Sequence, residues 1–341
     1  INIGRGKTKT VYVWEPNAPD AHQNALRARA SFTESGMMTF RPLELPPGMV
    51  DSEFWKLTVD PKWVQIYNRV EAAYDDALAA TEGTRMKANV AAHRVTTLKR
   101  ILESSKVEAA VERARHYIKE GRQVVIFTET KAARKLGLFT RNGETGANQE
   151  FFDYPQIRDA MLEWKAEAGA AKKMGGRPPK PPFAHFIVEI AKAYHNNNLS
   201  EEIPSVKDAI AEALGDDVAL YTGDESEARA NRNLEAWRKG KKRVLVATMA
   251  KGGTGLSLHD TVGDMPRVQI AINLPWRATG VEQVSQRTAR YGMQSHGIIE
   301  WIFADNIPFE RGLASRVGGR MKAMGAVVKG IEVEEANILE D

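Results

Sequence analysis

Four polar side chains, Gln283, Gln286, Arg287 and Arg290, follow one another at spacings of three and four residues. That spacing sets them on or near one face of a helix. Guanidinium stays charged at any physiological pH and grips phosphate through parallel hydrogen bonds, so an arginine pair suits neutralisation of a phosphoryl group in transfer. Upstream, the apolar run Val244 to Ala247 breaks at Thr248 into a loop that carries Lys251, Gly252, Gly253 and Gly255. Glycines in such a loop let main-chain amides approach a phosphate without interference from a Cβ. A second apolar run, Val268 to Asn273, ends at Pro275-Trp276. Strand, glycine loop, strand and arginine helix is the layout of a nucleotide-responsive α/β domain. Each signal is common alone, because arginine pairs on helices are usually surface ion pairs.

The elements that must hold these residues alternate along the chain. Lys106 to Glu120 reads as the clearest helix, with Val107, Ala110, Val111, Ala114 and Ile118 on one side and Gly121 closing its end. Val124 to Phe127 follows as a buried strand and leads into Thr128-Glu129-Thr130. Val218 to Tyr221 is the next such strand, followed by a helix over 225–238 that Gly240 stops. Ile298 to Phe303 is the last. Alternation of strand and helix from Lys106 to Phe303 implies an α/β lobe with a parallel sheet covered by helices on both faces.

Other segments lie outside that alternation. Residues 1–50 read as a connector, with Pro42, Pro46 and Pro47 extended. Residues 51–105 read as a mainly helical extension, with a helix over 52–80 interrupted near Leu57 to Val59. Trp63, Ile66, Tyr67, Val70 and Tyr74 recur there at helical spacing, the mark of core packing. The second helix, from Thr84, carries Arg85, Lys87, Arg94, Lys99 and Arg100, a solvated face with contact to a phosphate backbone as the alternative. Residues 137–215 exceed a minimal lobe and read as a helical and loop insertion. Its run Lys172 to Pro182 is basic and Pro/Gly-rich. Residues 306–341 form a C-terminal helix and an acidic tail.

Bulk properties bound the function. The chain has 341 residues, 48 basic against 44 acidic side chains and a formal net charge of +4, so nucleic-acid binding has to come from local patches. There is no cysteine, which removes disulfides and thiolate metal sites. The histidines are scattered, no metal site is expected, and no apolar run has the roughly 18 residues of a membrane helix. Near the start, Gly6-Lys7-Thr8 matches only the tail of a phosphate-loop pattern, because Ile1 stands where the first glycine belongs. It reads as a basic terminal or linker segment.

The three segments 243–260, 268–280 and 281–294 resemble motifs V and VI of superfamily-2 helicases and translocases, nearest the Swi/Snf-like and strawberry-notch-like branches. In that family the last motif looks like Q-x-x-G-R-x-x-R-x-G-Q. Gln283, Arg287, Arg290 and Gly292 fall in register, Gln286 replaces a small or acidic residue, and Gln294 sits one place late. The resemblance implies a second RecA-like lobe over 106–136 and 216–305, with Arg290 as arginine finger and Arg287 as a further phosphate or interdomain contact. Gly253, Gly255, Gln283 and Gln286 would then adjoin the nucleotide. Thr128, Thr130, Thr248, Lys251, Arg229 and Arg232 would adjoin the nucleic acid, and strand-end capping is the other reading of the threonines. It further implies ATP and Mg2+, bound mainly by an upstream first lobe with the Walker motifs that this chain lacks. This chain alone would then be inactive. DNA, with RNA open, is the expected partner, and the expected setting is cytoplasmic or nucleoid-associated, with phage- or plasmid-encoded relatives. The rival reading is a non-catalytic nucleic-acid-binding or scaffolding module that kept the fold.

Overall fold

The computed structural model describes residues 48–130, 133–140, 151–152, 154–252, 256–275 and 278–324, with six isolated positions between 23 and 35. Gly6-Lys7-Thr8 and the acidic tail lie outside the described residues. The chain begins with β1 (Val50–Leu57), α1 (Pro61–Ala80), α2 (Thr84–Ser105), α3 (Val107–Lys119) and β2 (Gln123–Thr128). Short strands β3 (Arg134–Lys135), β4 (Phe139–Thr140) and β5 (Phe151–Phe152) precede α4 (Tyr154–Lys173), α5 (His185–Asn196), β6 (Glu202–Ile203) and α6 (Val206–Leu214). Then come β7 (Val218–Tyr221), α7 (Glu227–Arg238), β8 (Val244–Thr248), α8 (Met249–Gly252), β9 (Arg267–Ala271), α9 (Ala278–Ser285), β10 (Gly297–Ala304) and α10 (Pro308–Met324).

Six strands form one sheet in the order β1-β10-β9-β2-β8-β7, and every pairing in it is parallel. Burial follows that order. All residues of β2, β8 and β9 are buried, whereas the edge strands β1 and β7 are only partly so. Successive side chains on a strand face opposite ways, and the cores show it. Val124 and Ile126 join Val244, Val246, Val268 and Ile270 beneath α3 and α6. Val125 and Phe127 join Leu245, Ala247 and Ala271 beneath α7, α9 and α10, where Trp237, Val281 and Val317 close the other face. This is the expected RecA-like arrangement, a parallel sheet with helices on both faces. Gly121, at φ 83°, takes the left-handed turn that ends α3 and starts β2.

Three local expectations change. The helix expected over 52–80 is preceded by a strand: Val50–Leu57 pairs with β10 over its whole length, and Phe54 stacks on Trp301 with ring centroids 6.4 Å apart. Long-range pairing outweighs local propensity here. The helix then begins at Pro61, capped by the Asp60 carboxylate, which accepts from Lys62 N–H at 2.7 Å. The lobe also resumes earlier than 216, because Val206 and Ile210 of α6 are buried against the sheet. Third, extension and insertion share one core. Ile66, Tyr67, Val70, Tyr74, Leu98 and Ile101 of α1 and α2 pack with Leu136, Phe139, Ile157, Ile190 and Tyr194.

Lys106, between α2 and α3, ties the layers together. It is fully buried, and its Nζ donates to Ile272 O at 3.0 Å, to Ile302 O at 2.9 Å and to the Glu310 carboxylate of α10. The other Glu310 oxygen accepts from Ala304 N–H at 2.8 Å. Burial pulls the Lys106 ammonium below the ordinary lysine value while Glu310 opposes that shift. No helix among the described residues is long and apolar enough to cross a membrane.

Removing one partner of such a pair strands a charge in the interior. Lys106→Met is therefore expected to cost about 3–5 kcal/mol in chemical denaturation. A loss below about 1 kcal/mol would show that the pair is solvated in solution.

Candidate functional site

Leu256, Ser257 and Leu258 and the arginines are one unit in space. After β8, the single turn of α8 ends at Gly252. A Cβ there would stand 2.8 Å from Ala247 Cβ and 3.1 Å from Phe127 Cε1. Close packing of the turn on β2 and β8 therefore requires this glycine, whatever ligand adjoins it. Gly253 and Gly255 lie outside the described residues. Lys251 is held by its own contacts: Nζ donates to Thr222 O at 2.8 Å and lies 4.8 Å from the centroid of the Tyr221 ring.

The arginine segment departs from the expected helix. α9 stops at Ser285, and turns cover 286–288 and 291–292. Ser285 Oγ bonds back to Val281 O at 2.9 Å, a contact that competes with helical order. Leu258 N–H donates to Arg287 O at 2.8 Å, drawing the chain against the segment leaving the glycine loop. Thr288 is buried and bonded to Gln269 of β9 at 3.1 Å, which fixes the turn to the sheet. Arg287 Nε then donates to Gln283 O at 2.9 Å and its Nη1 to Leu256 O at 3.0 Å. Arg290 is exposed and reaches Ser257 Oγ at 2.7 Å. Among the described residues neither arginine has a carboxylate partner. Burial, then the Arg290 charge, lowers the Arg287 guanidinium below its ordinary value. His259 is lowered too, by burial and then by Arg290 and Arg267. The side chains of Gln283 and Gln286 are exposed.

The threonines differ from one another. Thr128 and Thr248 are register partners at the ends of β2 and β8. Both are buried, and neither hydroxyl has a hydrogen-bond partner among the described residues. In this conformation neither hydroxyl is open to a strand crossing the surface. Thr130 is engaged: its N–H and Oγ1 both meet Glu103, which also accepts Glu129 N–H at 2.5 Å. Lys99 of the same helix bridges to Glu129 at 2.7 Å. Lys99 and Glu103 thus clamp the strand end, so Lys99 is not part of a solvated face. No motif marks Glu103 in the sequence; it is one acid in a basic helix. Arg94 is paired with Glu71 and Asp75, while Arg85 and Lys87 remain exposed. Arg229 and Arg232 are exposed on α7, and Arg232 lines a shallow groove with Asn231, Glu235, Lys239 and Lys241. Among the described residues no three histidines or carboxylates could hold a metal ion. In the basic run, Lys172 and Lys173 close α4, and Pro179 O accepts from Trp164 Nε1–H at 2.8 Å.

No family model matches the chain. Over 108 residues it is 24% identical to an inferred ATP-dependent RNA helicase of Acanthamoeba polyphaga mimivirus, covering 32% of this chain and 20% of that protein. Among solved structures it is similar to the SWI2/SNF2 ATPase C-terminal domain of Sulfolobus solfataricus. There the TM-score is 0.43 at 11% identity, over 85% of this chain and 92% of that one. The core of the same ATPase in complex with dsDNA gives 0.43 at 13% identity, over 86% of this chain and 52% of that one. Saccharomyces cerevisiae Dbp5 bound to RNA and ADP BeF3 gives 0.33 at 13% identity, over 65% of this chain and 37% of that one. The chain thus spans one fifth of its curated relative and about half of the SWI2/SNF2 core.

Glu103 gives the clamp a pH signature. Burial raises its carboxyl to about 7 from 4.5, although Thr130 and the Glu129 N–H favour the charged form. The folded chain then holds a proton that the unfolded chain has lost between those values. Stability is expected to fall as pH rises from about 4.5 to about 7, by at most about 3 kcal/mol, and to level off above. Glu103→Gln is expected to flatten that slope in unfolding titrations. An unchanged slope would assign the effect to another group.

Proposed function

We propose that this chain is the C-terminal motor lobe of an ATP-dependent helicase or translocase, with DNA as its nucleic acid. The observation that carries this reading is the pair Arg287 and Arg290, held without a carboxylate against Leu256 and Ser257 where the glycine loop ends. Two guanidiniums kept close without a counter-charge suit an anion that arrives from outside. ATP, with Mg2+, would supply the transferable phosphoryl group from an upstream first lobe. Arg290, exposed and bonded to Ser257, is the finger that would reach it as the lobes close. Arg287 keeps the turn in place through two main-chain carbonyls and would add charge behind it. Gln283 and Gln286, both exposed, would adjoin the nucleotide. Exposed Tyr291, next to Arg290 in the chain, would offer apolar surface to the first lobe.

On the nucleic-acid side, Arg229, Arg232 and Lys251 supply charge on and beside α7. The buried hydroxyls of Thr128 and Thr248 would act through the strand ends that they pack, and Thr130 through its main chain. The mimivirus relative is named for RNA and the SWI2/SNF2 core was solved with dsDNA, so both polymers belong in the first test. A cytoplasmic or nucleoid-associated setting follows from this reading, and the Swi/Snf-like and strawberry-notch-like branches are its nearest sequence patterns. A second reading, a non-catalytic binding or scaffolding module, is favoured by Arg287, because loop architecture alone accounts for its two carbonyl contacts.

ATP hydrolysis by the longest natural chain containing this segment, with DNA or RNA added, separates the two. Arg290→Ala is expected to lower stimulated turnover by roughly 10³-fold while leaving nucleic-acid affinity intact. Turnover indifferent to Arg290 would remove the finger assignment, and binding without any turnover would favour the scaffold.

A further inference from the structure

A second unpaired arginine pair lies away from the glycine loop, where the helical layer meets the end of β2. Arg100 is on α2 and Arg134 on β3, the short strand after the Thr128–Thr130 turn. Both are half-buried, and Arg134 Nη2 lies 3.0 Å from His93 Nε2. Their neighbours on α2 are neutralised: Arg94 by Glu71 and Asp75, Lys99 by Glu129. Among the described residues neither Arg100 nor Arg134 has a carboxylate at ion-pair distance. Glu103 is the acid whose charge reaches Arg100, yet its oxygens are occupied by Glu129 N–H, Thr130 N–H and Thr130 Oγ1. Arg100 Nε is buried with no hydrogen-bond partner, a costly state for a charged donor unless something fills it. Arg100 and His93 feel the crowding of positive charge: burial and then Arg134 lower Arg100, and burial followed by Arg134 and Arg100 pushes His93 down to about 3.

We propose that Arg100 and Arg134 form a phosphate-binding site, with His93 as its wall, that holds one phosphodiester of a nucleic-acid strand beside the Thr128–Thr130 turn. Two guanidinium forks offer the donors that a tetrahedral oxyanion needs, and an incoming negative charge relieves the repulsion between them. The position matches: ligands of open α/β sheets gather beyond the carboxyl ends of the strands, where β2 delivers this turn. The identification of the phosphate as nucleic acid rests on the motor-lobe reading. The site itself rests on these side chains and would also accept a free polyphosphate.

The test is binding of fluorescein-labelled single-stranded DNA to the 341-residue chain across a range of salt. Wild type, Arg100→Gln/Arg134→Gln and Arg94→Gln are compared, with inorganic pyrophosphate as competitor. The double variant is expected to bind about tenfold or more weakly, its salt slope smaller by about 0.7 per lost phosphate contact. Arg94→Gln, whose arginine is already paired, is expected to match wild type. A folded double variant with wild-type affinity and slope overturns the site, and so does an equal loss in Arg94→Gln, which would reflect bulk charge. If the double variant does not fold, Arg100→Lys and Arg134→Lys take its place. Weaker binding at a retained slope supports the site, and wild-type affinity in both overturns it. Displacement of DNA by millimolar pyrophosphate from wild type extends the site to free polyphosphate, and failure to displace confines it to the polymer. If wild type binds no DNA or RNA, the motor-lobe reading fails by itself. Pyrophosphate binding by wild type that the variants lose would then support the site, and its absence would overturn it.

Discussion

One buried ammonium sets the order of this molecule. Lys106 sits at the joint between α2 and α3, so its backbone belongs to the helical layer and the lobe at once. Its Nζ ends among Ile272 O, Ile302 O and Glu310. Those atoms follow β9, lie within β10 and open α10. A desolvated charge tolerates few geometries, because every displaced partner leaves a polar atom exposed to low dielectric. Strand ends, joint and last helix are therefore fixed relative to one another, and whatever is mounted on them inherits that rigidity.

Two devices are mounted there with opposite electrostatics. At the end of β2, Glu103 and Lys99 satisfy their partners completely and clamp Glu129 and Thr130. Beside Leu256 and Ser257, Arg287 and Arg290 have no carboxylate partner among the described residues. A satisfied network stiffens a strand end, whereas an unbalanced one stores repulsion that only an outside anion relieves. Arg100 and Arg134, with no carboxylate at ion-pair distance among the described residues, repeat that imbalance beside the clamp. Fixed backbone beside unneutralised cations is the arrangement expected of a surface that meets phosphates, because the cost of orienting the donors is met during folding.

The helical layer is not an appendage. Residues N-terminal to the lobe and residues inserted within it share one core around Tyr74, Leu98, Ile190 and Tyr194. Tyr74 and Tyr194 bond through their hydroxyls at 2.9 Å, and Tyr74 also meets Thr97 at 2.9 Å. A displacement of the layer would act on the end of β2 through α2, because Glu103 and Lys99 of α2 bond to Glu129 and Thr130. Phosphate contact at Arg100 and nucleotide contact at Arg290 would thus report to the same sheet.

The apolar runs Val124 to Phe127, Val244 to Ala247 and Val268 to Ile272 determined the sheet without help, since strands so continuously apolar must be covered on both faces. The helix of Val107 to Lys119 was equally legible, because its apolar spacing and Gly121 are local signals. Other features depended on partners distant in sequence. Val50–Leu57 is a strand because β10 offers it a full-length edge, and α6 belongs to the lobe because Val206 meets the sheet. The arginine segment leaves the helix where Leu258 bonds to Arg287 O, a contact that spacing cannot reveal. Gly252 is required by Ala247 and Phe127 pressing on it, although its sequence context suggests a ligand. Period and composition are properties of a segment; burial of a charge, and the pairing or isolation of an arginine, depend on side chains that only folding brings together.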